Sequence, residues 1–371
     1  MSPSTGMTPE VRVLHVDTER GWRGGQRQVL WLAEGLTKRG VHSVIAARPG
    51  EPLAERAERA GVRVIPCRAF AEFDPLAVWT LRRAMASERV NIVHAHTAHA
   101  VALAALATLG TPVHMVVTRR VSHPPRANIG TRWKYGRAHA VIAVASASAR
   151  ALAASGVSKV PIRVVPSGVD LARSIPHASP DTLSALGVTA GSPLVVMVAA
   201  LTAEKDPITF VRAIAYARQA VPSLRAVLVG DGPLRPEVER AIADARLTDT
   251  VRLAGFREDA DAFLAVAHVV VSSSTMEGTS GVILDALALG KPVVATSAGG
   301  TAEVLQQGKS GFLVPVGDAA AMGTRIAELL IDPALAARVG EGARQRAADY
   351  SIDRTVDRTL EVYWRVLARA P

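Results

Sequence analysis

The sequence predicts an α/β protein made of two doubly wound parallel sheets, one in each half of a 371-residue chain. Three observations predict it. Short, continuous apolar runs recur along the chain, as strands buried on both faces require. Helical stretches of about 10–15 residues separate them, the spacing of crossover connections. The alternation is then repeated after a proline-bearing, aperiodic stretch, His177–Pro193, which reads as a linker.

In the first half, VRVLHV (11–16) is the opening strand, and a glycine turn, Gly21–Gly25, leads into the helix QRQVLWLAEGLTKRG (26–40). HSVIAA (42–47) follows, then a helix near Pro52–Ala60 and the strand VRVIPC (62–67). Helix Pro75–Glu88 precedes NIVHAH (91–96), and helix His99–Leu109 precedes VHMVVT (113–118). AHAVIAVA (138–145) and IRVVPSG (162–168) complete the sheet. In the second half the strands are PLVVMVA (193–199), RAVLVG (225–230), TVRLAG (250–255), HVVVSS (268–273), KPVVAT (291–296) and FLVPV (312–316). An amphipathic helix, Ile352–Ala370, ends the pattern. The expected domains are therefore 1–180 and 181–350, with 351–371 as a terminal helix.

Composition narrows the class. Hydrophobic residues make up 49% and charged residues 20%, which excludes a disordered chain. The single cysteine, Cys67, cannot form an intramolecular disulfide and suits a reducing compartment. The start, MSPSTGMTPE, lacks the basic and apolar regions of a signal peptide. The apolar run Ala98–Val117 is broken by Gly110-Thr111-Pro112 and His114, so it reads as helix, turn and strand, not a membrane span. A cytoplasmic protein is expected.

Charge is lopsided. Residues 1–180 hold 24 basic and 11 acidic residues, a net of +13, whereas 181–371 hold 19 and 22, a net of −3. No acid occurs between Glu88 and Asp170, an interval carrying Arg119, Arg120, Arg126, Arg132, Lys134 and Arg137. Such a half suits a polyanionic partner: an anionic membrane face, a phosphorylated glycolipid or a nucleic acid. The alternative is arginine spread over solvated faces. Nucleic acid is disfavoured, because only Trp133 and Tyr135 in that interval could stack bases.

Ligands of open α/β sheets bind beyond the carboxyl ends of the strands. The informative loops should follow Val16, His96, Thr118, Ala199, Gly230, Gly255, Ser274 and Thr296. The richest is Ser274–Glu303, where Glu277 sits in a Gly-containing loop (Gly278, Thr279, Ser280, Gly281) that opens a helix starting near Val282. Loop amides and a helix N-terminus favour an anion such as a diphosphate, and an ionised carboxylate accepts hydrogen bonds from hydroxyls. Diphosphate plus polyol describes a nucleotide sugar. Seven residues separate Glu277 from a second acid, Asp285. Two carboxylates flanking a scissile bond, as a glycosidase needs, do not fit one acid in a loop and the other within a helix.

The stretch resembles the E-x7-E region of the retaining, GT-B-fold glycosyltransferases of family four, with Asp285 where a second Glu is usual. Ala199–Asp206 resembles that family's G-R-L-x-x-x-K-G segment: Lys205 stands at the diphosphate lysine, Ala200 at the usual Arg and Asp206 at the usual Gly. Arg23-Gly24-Gly25-Gln26, Gly230-Asp231-Gly232-Pro233, VPSGVD (165–170) and SGFLVP (310–315) add to the likeness, which covers about residues 11–365.

The resemblance implies two Rossmann-like domains facing a cleft, with the last helix crossing back to the first domain. It implies a metal-independent, retaining transfer from a nucleoside-diphosphate sugar, UDP favoured over GDP, with no cofactor. The acceptor would be a glycan or lipid-linked glycan, as in cell-envelope and lipopolysaccharide synthesis, held by the first domain at an anionic cytoplasmic membrane face. Glu277, Lys205 and Arg120 would carry the chemistry. Gly24, Gly25, Thr202, Gly230, Phe256, Arg257, the 278–282 loop and Asp285 would complete the donor site, Asp285 at the ribose. His96, Arg119 and His123 are acceptor-side candidates.

Two other readings stay open: a nucleotide-sugar hydrolase or epimerase on the same scaffold, and a non-enzymatic binding protein. His94, His96 and His99 also raise a metal site, but no carboxylate lies nearby in sequence and none is expected.

Overall fold

The computed structural model describes residues 9–157, 160–173, 175, 177–189 and 191–368. The chain separates into two units, Met1–Gly168 with Ile352–Pro371, and Val169–Ser351.

The first unit holds seven strands: β1 (Arg12–Asp17), β2 (His42–Ala47), β3 (Arg63–Pro66), β4 (Ile92–Ala95), β5 (His114–Arg119), β6 (Ala140–Ala143) and β7 (Ile162–Val164). They lie in the order β3-β2-β1-β4-β5-β6-β7, and every pairing is parallel. The second unit holds β8 (Leu194–Val198), β9 (Arg225–Val229), β10 (Val251–Gly255), β11 (Val269–Ser272), β12 (Val293–Thr296) and β13 (Phe312–Val314). Its order is β10-β9-β8-β11-β12-β13, again all parallel. Both orders reverse beside the first strand of the unit, so each sheet has a switch point, between β1 and β4 and between β8 and β11.

The strands form where expected because Val, Ile and Leu runs are covered on both faces. In the first unit, one cluster packs Leu14, Val93 and Met115 under helices Pro75–Ser87 and Ala98–Ala107. Another packs Val13, Ile92 and Val116 under the last helix, Ile352–Leu367, through Val356, Leu360 and Tyr363. Gly35 permits this: a Cβ there would lie 2.5 Å from a methyl of Val356. The terminal helix thus belongs to the first unit, although it follows the second in sequence.

Two differences from the sequence reading have physical reasons. The stretch His177–Pro193 is no linker. It carries helix Pro180–Ala185, with Pro180 at the first helical position, where a missing N–H costs nothing, and it buries Ala178 and Val188 in the second unit. The chain passes between units at Gly168–Val169 and at Ser351–Ile352 instead of at 180 and 350. Helices Ile129–Gly136 and Ser146–Ala154 were also not foreseen. They are short, Gly- or Ser-bearing and weakly periodic.

Candidate functional site

Each unit gathers polar groups at its switch point. In the second unit, the loop after β8 carries Lys205 and the loop after β11 carries Glu277. Lys205 Nζ donates to Glu277 Oε2 at 2.5 Å, and Ser274 Oγ donates to the same oxygen at 3.3 Å. The acidic loop is tied on both sides. Thr275 N–H donates to Glu204 O at 2.8 Å, Thr296 Oγ1 to Ser274 O at 2.5 Å, and Gly300 N–H to Glu277 O at 3.0 Å. Such pinning fixes a carboxylate that local propensity would leave mobile.

Helix Gly281–Ala288 begins directly behind Glu277, and its N-cap, Ser280, caps no amide with its side chain. The first-turn amides therefore present the positive end of the helix, with no acid within the turn itself. Asp285 is the fifth residue of this helix and is 1% exposed. Thr202 Oγ1 is buried with no hydrogen-bond partner, and Lys205 and Asp206 donate their amides to Thr202 O.

The neighbouring glycines are sterically required. At Gly230 φ is +141°, and a Cβ would fall 1.9 Å from Ala199 O; at Gly232 it would meet Leu201 O at 2.6 Å. The departure Asp206 also finds its reason. This residue is left-handed, φ 43°, ψ 61°, and its carboxylate caps helix Pro207–Ala220 through Thr209 N at 3.2 Å. A glycine suits that backbone, and Asp is among the few residues that tolerate it. Ala200 is exposed, and the arginines of nearby loops do not replace the usual Arg. Arg257 is bidentate to Asp259 at 2.7 and 2.8 Å, and Arg235 pairs with Asp231 and Glu239. Phe256 is 71% exposed beside Arg257.

In the first unit a cavity of about 580 Å3 opens at the ends of β1 and β4. Its polar floor is Asp17, His96 and Arg120, and Gly25 and Gln26 border it from helix Gly24–Lys38. Behind the floor, His15 and His94 stand side by side on β1 and β4. His94 and His96 share a strand face, as alternation dictates, and their ring centroids are 4.0 Å apart.

The hydrogen bonds fix the tautomers. Arg120 Nη2 lies 3.4 Å from His96 Nδ1, and a guanidinium only donates, so His96 Nδ1 accepts. His96 then carries its proton on Nε2 and donates to His15 Nδ1 at 3.0 Å. His15 is left with a buried Nε2–H that has no partner. His94 is held at both nitrogens, 2.6 Å from Tyr363 Oη on the terminal helix and 2.6 Å from Thr118 Oγ1.

Burial first, then the Arg120 charge and, for His94 and His96, the neighbouring imidazoles depress all three rings, His15 to about 3 and His94 and His96 well below the ordinary histidine range. Burial also lowers Arg120 to about 10 and raises Asp17 to about 6, even though Glu19 N–H and Gln26 Nε2 hydrogen-bond the Asp17 carboxylate. Ligating atoms of His15, His94 and His96 lie within 4.8 Å of one another. A metal fits them poorly, since both nitrogens of His94 are engaged and a guanidinium sits beside His96.

The expected residues are thus distributed unequally. Lys205, Glu277, Gly278, Thr279, Ser280, Gly281, Val282, Asp285, Thr202 and Gly230 gather in the second unit. Arg120, Gly24, Gly25 and His96 belong to the first. Arg119 and His123 leave the cavity: Arg119 donates to His123 O and, at 3.4 Å, to Tyr135 Oη. His99 is not with the other histidines but faces Glu19 at 3.4 Å. The sequence reading missed His15, Asp17, Gln26 and Tyr363. An acid closing the apolar run Val11–Val16 was the one available signal.

Comparison with known proteins matches both halves of the chain. The pattern of the family described as Glycosyltransferase Family 4 matches residues 22–173, and that of Glycosyl transferases group 1 matches residues 192–332. The chain is 34% identical over 224 residues to the D-inositol 3-phosphate glycosyltransferase of Salinispora arenicola, covering 56% of this chain and 50% of that one. It is 28% identical over 358 residues to the GDP-mannose-dependent alpha-(1-6)-phosphatidylinositol monomannoside mannosyltransferase of Mycolicibacterium smegmatis, covering 88% and 91%. The matches to the first curated relatives span about half the length of those proteins. Among solved structures, Anabaena HepE in complex with UDP-glucose superposes with a TM-score of 0.81 at 22% identity, over 95% of this chain and 100% of that one. With both halves matched and the two-sheet fold shared, the chain belongs to glycosyltransferase family 4 and has the GT-B architecture of two Rossmann-like domains.

Proposed function

We propose that the protein transfers a sugar from a nucleoside-diphosphate donor to a glycan or glycolipid acceptor, with retention and without a metal. The observation that carries this reading is the Lys205–Glu277 pair, 2.5 Å apart beside the uncapped start of helix Gly281–Ala288. The donor diphosphate takes Lys205 and the first-turn amides, where a cation and a helix dipole offset its charge. Glu277 then turns from the lysine to the sugar hydroxyls, and Asp285 serves the ribose. As the glycosidic bond breaks, charge grows on the leaving phosphate, and these fixed donors stabilise it without reorganisation. The leaving phosphate accepts the acceptor hydroxyl proton on the same face, which gives retention. UDP is favoured as the nucleotide, supported by the UDP-glucose complex of the structural relative. Screening thermal stabilisation by UDP-, GDP-, ADP- and dTDP-sugars, with Lys205→Ala as control, tests the donor site. Stabilisation by none of them, or an equal response in the variant, would refute it.

Hydrolysis or epimerisation of the donor is a second reading, and Asp17 favours it: a buried acid raised to about 6 is a candidate proton carrier. Product analysis without acceptor separates the two, since a transferase leaves most donor intact.

The acceptor side is proposed to meet an anionic membrane at the cytoplasmic face. Phe70, Phe73, Leu76 and Trp79 are exposed at 77%, 53%, 64% and 56%, and Ile129 and Trp133 are exposed on a helix bearing Arg132. Lys134 pairs with Glu72 and ties that helix to the Phe70–Phe73 loop. Among the described residues no helix is long and apolar enough to cross a membrane. Anionic vesicles should bind the protein at low salt and release it at high salt, each basic group contributing roughly 1 kcal/mol. Trp79→Ala with Trp133→Ala should weaken this. Absence of vesicle binding at low salt would leave a soluble acceptor.

A further inference from the structure

We propose that the first-unit cavity binds a phosphate ester, gripped by Arg120 at the floor and by Arg20 and Arg23 at the rim. The proposal rests on the transferase reading and names the chemistry of the acceptor it assigns to the first unit.

Arg120 carries the argument. A guanidinium has five N–H donors. One nitrogen reaches His96, a neutral ring, and Nε is buried with no partner at all. The guanidinium is partly exposed at the wall of the cavity, so an anion there would meet a cation whose only described hydrogen bond is to a neutral ring. Asp17 offsets part of this charge from nearby but gives Arg120 no described hydrogen bond; its oxygens accept from Gln26 Nε2 at 3.2 and 3.4 Å and from Glu19 N–H at 3.1 Å.

The rim adds a second, independent observation. Four arginines line the cavity, Arg20, Arg23, Arg48 and Arg120, against two acids, Asp17 and Glu19. Glu19 faces His99. Arg48 is spent on the backbone oxygens of Thr18 and Ala69 and braces the wall. Arg20 and Arg23 are exposed at the mouth. The 15-residue helix Gly24–Lys38 starts at this rim with no acid in its first turn. The excess of two positive charges matches a phosphomonoester dianion. Planar guanidinium forks and a helix N-terminus are the donors phosphate favours. About 580 Å3 has room for a sugar phosphate as well as the bare anion.

The ester has two sources, a soluble phosphorylated sugar or a lipid headgroup, and the test separates them. Full-length protein saturated with UDP is titrated calorimetrically with inorganic phosphate, then with glucose 6-phosphate and with phosphatidic acid vesicles. The wild type should bind phosphate saturably. The Arg20→Ala/Arg23→Ala variant, altered only at exposed positions, should bind it about tenfold more weakly, as loss of charged hydrogen bonds predicts. UDP affinity should stay unchanged in that variant. Arg120→Gln, close in volume, should abolish the heat of phosphate binding while keeping the thermal transition. The ester whose binding responds to the variants identifies the source. Equal phosphate affinity in wild type and both variants overturns the proposal, as does loss of phosphate binding on saturation with UDP, which would give these arginines to the donor. Failure of UDP itself to bind counts against the transferase reading instead.

Discussion

The two units share a plan and oppose each other in chemistry. Strand order is the same through six strands, β3-β2-β1-β4-β5-β6 in one and β10-β9-β8-β11-β12-β13 in the other. Both collect polar groups where the order reverses. In the second unit those groups sit in loops, partly buried, as a lysine–glutamate pair 28% and 13% exposed. In the first they sit at strand ends, buried, as three neutral imidazoles, an arginine and an acid with a raised pKa. The topology fixes where a site forms. Burial then decides whether its groups are charged, because desolvation penalises the ionised form.

Acid should break the symmetry most strongly. His15 is neutral when folded, at about 3, against 6.5 when unfolded. Its folded pKa is depressed, so its stability is present above 6.5 and is lost as pH falls from there toward 3. One such histidine costs about 5 kcal/mol at the bottom of that window. His94 and His96 shift the same way. Asp17 opposes them: its raised pKa makes ionisation costly above 6, and the cost is relieved as pH falls toward 3.8. The first unit should therefore lose hydrogen-exchange protection before the second on acidification. Asp17→Asn should stabilise at pH 8, by about 3 kcal/mol at most, and not below pH 4. Simultaneous loss in both units, or an Asp17→Asn effect confined to low pH, would refute the burial argument.

Next in size is the proposed donor pair, Lys205 and Glu277. Glu277→Ala and Lys205→Ala should each lower turnover by roughly 2–4 kcal/mol of transition-state stabilisation, with the melting temperature held. Turnover near wild type removes the altered residue from the mechanism.

The glycines of the two units sharpen the contrast further. Gly230→Ala drives a Cβ to 1.9 Å from Ala199 O at a positive φ, so it should destabilise by about 1–3 kcal/mol. Gly24→Ala meets nothing within 4 Å at the start of a helix and should leave thermal stability within about 0.5 kcal/mol. A reversed ranking in thermal melts would contradict the packing described.

The smallest expected effect is at Asp285. If it serves the ribose, Asp285→Asn should raise the donor KM several-fold and change kcat little, since that contact is the same in ground and transition states. Unchanged donor affinity would leave it a residue of the helix interior.

Much of this was legible in the sequence, residue by residue. Apolar runs gave the strands, since burial on both faces leaves no other pattern. Glu277 and Lys205 were legible because glycines and a helix start surround the one and the spacing to a strand places the other. Strand alternation put His94 and His96 on one face. It also held the signal, not used, that adjacent Arg119 and Arg120 must point apart. Asp206 looked like a departure because a dihedral angle cannot be read from a residue type.

By itself, then, the sequence determined the elements, their doubling and the position of the glycine-bearing Glu277 loop, all of which depend on residues near one another along the chain. Only the tertiary structure decided the rest. Register sets His15 against His94 across 79 residues of chain. The return of the last helix carries Tyr363 to His94. Burial removed the charge from the imidazoles. These are long-range contacts and solvent exclusions, and they exist only once strands far apart in sequence have paired.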